Sequence, residues 1–345
     1  MKDTTRAARR SWSSKGATLA AGALVVATAP MALTATSGAA ARPKARTLPT
    51  VNMAYTAPVA DQLLPLVAEK AGIFRHYGVN VNVEPLPQTE ALDSLISGQV
   101  QMGVFAGPAP EVSQAAGTPL KWLAEWESHA DLFFIGRGTS TVAGLAGKSV
   151  AVTVPGSTTA VLAQVALQGA NVLNKVHLQP LGNVGATLQS FLAGTTNATV
   201  AGPPNQTTLL KEVPGASILV DFRHQYEWPG AGVAALTSWT SKHKAITIDV
   251  MKGLIASIAY FKTHPTKVEA IIGQATGAKP GPVNSAYQSM RGIIDETGSL
   301  VPPVAAEVEV LKAIRGQFAG ASKLEARSMM DDTYIDAALK DLAAK

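Results

Sequence analysis

The sequence has no cysteine. That removes disulfides, thiolate metal sites and cysteine nucleophiles together, and with them a lipid-modified cysteine as a membrane anchor. Histidine is scarce, at 6 residues, and none stands at the H-x-x-x-H or H-E-x-x-H spacing of a helical metal site. The phosphate-binding glycine patterns are missing too. G-x-G-x-x-G does not occur, and in "VTVPGSTTAVLAQ" Pro155 and Gly156 stand where a P-loop needs a Lys before its hydroxyl residue. Charged residues make up only 15 % and aromatics 6 % of the 345. Sparse charge with abundant Ala, Thr, Gly and Val fits a compact α/β protein and argues against disorder.

The formal net charge is +5, but much of it sits at the start of the chain. Residues 1–41 have the pattern of an export signal: a basic segment (Lys2, Arg6, Arg9, Arg10, Lys15), a weakly apolar run over 16–35, and Ala39, Ala40 and Ala41 as small residues for cleavage. Arg9-Arg10 loosely resembles a twin-arginine signal. Pro30 and several Thr interrupt the apolar run, which argues against a spanning helix. Without this segment the charge falls to about +1, and no Lys/Arg patch with interleaved aromatics remains to bind nucleic acid. The expected product is therefore exported, periplasmic or extracellular. Its roughly 300 residues are enough for two domains.

From Thr50 onward, short β-branched runs alternate with helical patterns at parallel-sheet spacing. "TVNMAY" is the first strand, and Val79, Val81 and Val83 alternate with polar residues as a half-exposed one. A second unit starts near Arg137 with "KSVAVTV" and repeats the logic, and after residue 237 the pattern becomes helical. A short quasi-repeat links the units: "LISGQVQMGVFAGP" and "FLAGTTNATVAGP" both run helix, Gly, strand, Gly-Pro. Ligands of open parallel sheets sit beyond the carboxyl ends of the strands, so two facing lobes would form a cleft there. The residues at or just after strand ends are Tyr55, Gln88, Thr89, Ala106, Gly107, Trp126 and Pro203, with Thr56, Asn205 and Trp228 as further candidates for ligand contact. Ser157, Thr158 and Thr159 would open a helix whose free N–H groups suit an acidic head group; simple capping explains the same hydroxyls. Tyr55, Trp126 and Trp228 would line the body of a solute or pack in the core, while Phe105 is expected to be buried.

In "EWESHAD", Glu125, Glu127, His129 and Asp131 alternate and would share one strand face. Such a row offers metal ligands, but a solvated face is the expectation, because ligands on one strand rarely surround an ion. No G-x-S-x-G elbow surrounds Ser157.

The residues also resemble a known family. "AYTAPVADQLLPLVAEKAGIFRHYGVNVNV", through Ala68, Gly72, Phe74, Gly78, Val79 and Val81, is similar to the opening of solute-binding proteins for sulfonates, taurine, nitrate and thiamine-type pyrimidines. "ALDSLISGQVQMGVF" resembles that family's A-L-x-x-G-x-V-D-x-G with Gln101 for Asp, and Asn197 replaces the acid of the second such pattern. "LAGKSVAVTVPGSTTAVLAQVAL" and "HKAITIDVMKGLIASIAYFKTHPTKV" resemble the start of its second lobe and a later helix, so the likeness covers roughly 50–275.

The resemblance implies an α/β, two-lobed type II periplasmic-binding fold with a cleft between lobes and two hinge crossovers, expected near Phe134–Arg137 and 231–235. It divides the chain into a signal (1–41), a first lobe (48–136), a second lobe (137–232) and a return to the first (233–345). It further implies a monomer that needs no cofactor or metal, captures a small anionic or polar organic solute, sulfonate-like or aromatic, and delivers it to an ABC permease. Two enzymes of this fold, a desulfinase and a yeast-type pyrimidine synthase, are understood to rely on cysteine, which is missing here. A secreted enzyme or a sensory lobe acting on a small acid in the same cleft is the alternative.

Overall fold

The computed structural model describes residues 47–127, 129–294, 300 and 304–344. The expected export signal lies outside them. The strands are β1 (Thr50–Tyr55), β2 (Asn80–Pro85), β3 (Met102–Ala106), β4 (Leu120–Glu125), β5 (Phe133–Arg137), β6 (Ser149–Val152), β7 (His177–Pro180), β8 (Ala198–Ala201), β9 (Ala216–Asp221) and β10 (Ala231–Leu236). They form two five-stranded sheets, ordered β2-β1-β3-β10-β4 and β7-β6-β8-β5-β9.

The two sheets follow one plan. In each, three strands are parallel (β1, β2 and β3; β6, β7 and β8), and a fourth runs antiparallel beside the third. That antiparallel strand is β10 in the first sheet, returning after the second sheet is complete, and β5 in the second, the first strand the chain lays down after leaving β4. Between the two sheets the chain therefore crosses twice, over residues 126–127 with 129–132 and over 226–230. Both crossings lie just ahead of where the sequence placed them, because Phe134 and Ala231 are already paired inside sheets. The crossings hydrogen-bond each other, Ala130 N–H to Trp228 O at 3.1 Å, and Trp126 N–H donates to the carbonyl of Ala231, the first residue of β10, at 3.1 Å.

The quasi-repeat has a structural counterpart. Gly98 and Gly194 adopt φ +79° and +76°, left-handed values that suit a residue without Cβ, just after helices Gln88–Ser97 and Val184–Leu192. The two residues that replace the family's acids then do equivalent work. Gln101 Oε1 accepts from Asn52 N–H at 2.8 Å and Asn197 Oδ1 from Ser149 N–H at 3.2 Å, each pinning the strand ends of its own sheet. An amide oxygen accepts this bond as a carboxylate would, so the substitutions keep the fold while removing charge.

Val79, just ahead of β2, and Val81 on it are buried while Asn82 is exposed, the alternation of a strand with one covered face. Helices Leu64–Lys70, Lys244–Thr263, Pro280–Ile293 and Thr333–Ala343 contribute Leu64, Leu254, Tyr287 and Ile335 to the core of the first sheet. Helix Thr158–Gly169 covers the second sheet through Val161, Leu162 and Leu167. Val310, Leu311 and Ile314 of helix Val304–Ile314 join this second core. No helix among the described residues is long and apolar enough to cross a membrane.

Candidate functional site

The carboxyl ends of the six parallel strands meet across the space between the lobes. From the first lobe come Thr56 and Ala57 after β1, Pro87 and Gln88 after β2, and Ala106 ending β3. From the second come Thr153 after β6, Gly182, Asn183 and Val184 after β7, and Ala201 and Gly202 at the end of β8. Together with Val59, Asp61 and Gln62 from the segment after β1, they enclose a cavity of about 70 Å³. This is where an open parallel sheet binds ligands, here doubled.

Ser157 caps helix Thr158–Gly169, its Oγ accepting from Ala160 N–H at 3.3 Å. The hydroxyls of Thr153, Ser157 and Thr159 form a closed triangle at 2.7, 3.0 and 3.2 Å, and Thr159 Oγ1 also accepts from Thr153 N–H. Capping and cavity lining therefore coexist at this turn. Thr158 points across the gap and donates to Ala106 O at 3.1 Å. Beside it, Ala60 N–H donates to Pro203 O at 3.2 Å, and Thr207 to Ser285 Oγ at 3.2 Å. The lobes are thus held closed by direct bonds. On the first-lobe wall, Gln62 Oε1 accepts from Thr56 N–H and Ala57 N–H at 2.7 and 2.9 Å, fixing the backbone that follows β1.

Of the residues selected from sequence, Thr56, Gln88, Ala106, Ser157, Thr158 and Thr159 line the cavity together. Thr89, Gly107, Pro203 and Asn205 are sequence neighbours of lining residues without lining it themselves, and Tyr55 borders an adjoining depression that shares Thr56, Ala57, Pro87, Asn183 and Val184 with the cavity. Of the two readings of the tryptophans, the structure has them in the core. Trp126 and Trp228 are 0 % and 2 % exposed, and their indole N–H groups donate to Asp61 O at 2.7 Å and Gly107 O at 3.1 Å. A buried indole needs such a partner, and here both brace the crossings and leave the solute space to smaller residues. Phe105 is buried, as expected.

"EWESHAD" needs a correction. Its chain leaves β4 at Glu125, and Glu125 at that strand end is buried along with Glu127 and Asp131 on the first crossing. Glu127 Oε2 accepts from Ala231 N–H at 3.2 Å, across to the start of β10 just after the second crossing. Burial pushes the Glu125 and Glu127 carboxyls well above the usual range, with neighbouring acids adding repulsion. Asp131 is pushed up to about 6 by burial, against the opposing pull of Ser289 and Arg223. Among the described residues, no group of three or more acids or histidines is arranged to hold a metal ion.

Sequence reasoning missed Asp61, Gln62, Thr153 and Asn183. Asp61 had a signal, a lone acid in the apolar run "PVADQLLPL" just after a strand end. Asn183 caps helix Val184–Leu192 after β7, the counterpart of the turn after β2 that holds Gln88.

The family model described as NMT1/THI5 like matches residues 62–275, more than half of the chain. Among solved structures, the chain is similar to the periplasmic aliphatic sulphonate binding protein SsuA from Escherichia coli (17 % identity, 83 % of this chain and 92 % of that one, TM-score 0.67). It is similar to the periplasmic nitrate-binding protein NrtA from Synechocystis PCC 6803 (12 % identity, 86 % and 90 %, TM-score 0.71). The desulfurization enzyme DszB has the same fold (13 % identity, 84 % and 99 %, TM-score 0.59). No curated protein matches.

Proposed function

Because the chain belongs to the NMT1/THI5-like family, we propose that it is an exported solute-binding protein that captures a small polar organic compound between its lobes and delivers it to an ABC importer. The observation that carries this reading is the cavity lined by six strand ends, three from each lobe, with the lobes bonded together around it. Closure of two lobes about a hinge buries a solute on all sides, and the paired crossings are suited to that motion. The periplasmic sulphonate- and nitrate-binding proteins that share the fold support the transport role. A monomer is the proposed form, with the permease as its partner.

The test is thermal unfolding of residues 42–345 against a panel of sulfonates, nitrate, amines, aromatic carboxylates and pyrimidines, with recovery of any hit. A solute at 100 times its dissociation constant should stabilise by about 2.7 kcal/mol. Intact recovery of a stabilising compound supports a carrier. Recovery of a converted product supports an enzyme in the same cleft, and no shift across the panel contradicts binding of these classes.

A further inference from the structure

The walls of the cavity carry one ionisable side chain, Asp61. The rest of the polar lining is hydroxyls and amides, and no Arg, Lys or His is among the lining residues. Asp61 is 6 % exposed and its Oδ1 has no hydrogen-bond partner. An acceptor buried without a donor is unfavourable, more so when ionised. No protein cation relieves it. The ionisable groups acting on Asp61 are Glu127 and Asp131, both buried acids. Arg223, the cation beside Asp131 at 4.0 Å, is engaged with Asp221 Oδ2 at 2.7 Å and Oδ1 at 3.0 Å. Burial, with repulsion from Asp131, pushes Asp61 up to about 7.

A wholly anionic solute entering this space would meet the Asp61 carboxyl and no counter-charge on the first-lobe side. A nitrogen donor would meet the missing partner. On the facing wall, the N-terminal turn of helix Thr158–Gly169 supplies N–H groups and hydroxyls for an oxygen of the same solute. We propose that the solute carries an amine or ammonium nitrogen that donates to Asp61, and that Asp61 is the residue that selects amine-bearing solutes over purely anionic ones. The inference rests on the solute-binding reading above.

Calorimetric titration with three two-carbon compounds, 2-aminoethanol, 2-aminoethanesulfonate and 2-hydroxyethanesulfonate, separates the cases on the mature wild type and on Asp61→Asn. The expected result is binding of an amine-bearing compound in preference to 2-hydroxyethanesulfonate. Its affinity should fall at least tenfold in Asp61→Asn, whose unliganded unfolding temperature is unchanged or raised because the amide is neutral. Wild-type affinity should rise from pH 6 to pH 8 as Asp61 ionises, and this rise should vanish in the variant. Equal or better binding of 2-hydroxyethanesulfonate, or amine binding that Asp61→Asn leaves intact, overturns the inference and leaves solute binding standing. So does failure of both amines while another compound of the wider panel binds. Failure of every compound overturns the binding reading along with it.

Discussion

Thr158, the first residue of its helix in the second lobe, donates its hydroxyl to the carbonyl of Ala106, the last residue of β3 in the first lobe, at 3.1 Å. One bond thus ties the two strand-end walls of the cavity, and both residues line it. Thr158→Val keeps the shape and removes the donor, so the closed form should lose about 1 kcal/mol and solute affinity should fall about 3- to 10-fold. Titration checks the affinity, and small-angle scattering should show a larger radius for the unliganded variant than for the wild type.

The buried acids make stability depend on pH in an unusual direction. Asp61 and Asp131 are pushed up to about 7 and about 6 by burial, and Glu125, Glu127 and the buried Glu307 of helix Val304–Ile314 well above the usual range. The folded protein holds protons that the unfolded chain releases near pH 4, so their stabilising contribution is full below that pH and is lost as pH rises through 6 to 7 and beyond. The unfolding temperature should fall from pH 5 to pH 8. Glu125→Gln, which replaces a carboxyl whose two oxygens have no partner, should flatten that decline; a temperature that rises over this range contradicts the account.

Gln101→Ala and Asn197→Ala each remove the acceptor for a strand N–H, of Asn52 and Ser149. Each should cost about 0.5–1.5 kcal/mol in denaturant unfolding. Because the two sites lie in different sheets, the double variant should lose about the sum.

Trp228→Phe deletes the donor to Gly107 O while keeping most of the ring volume. The expected loss is about 1–3 kcal/mol of stability, with solute affinity within a few-fold of the wild type. A complete loss of binding in a stably folded variant would return Trp228 to the solute surface.

The architecture was legible because its signals are periodic. Strand alternation at Val79 and Val81, the glycines at 98 and 194 and the matched Gly-Pro strand ends are local patterns, and each survives in the fold. The hydroxyl turn at 157–159 was legible for the same reason, since capping chemistry is written in consecutive residues. Asp61 and the tryptophans were not, because what a side chain faces after two crossings depends on contacts 65 and 121 residues apart. "EWESHAD" shows the limit most clearly. Alternating acids look like a solvated strand face, and only the crossing, which carries them into the interior, decides otherwise.

The most direct test of the central claim is calorimetric stoichiometry of the stabilising solute with the wild type and with Ala106→Trp, whose indole would fill the space between the strand ends. The account predicts one solute per wild-type chain and none in the filled variant, with the variant still folded by circular dichroism. Undiminished binding to Ala106→Trp would place the site elsewhere and contradict it.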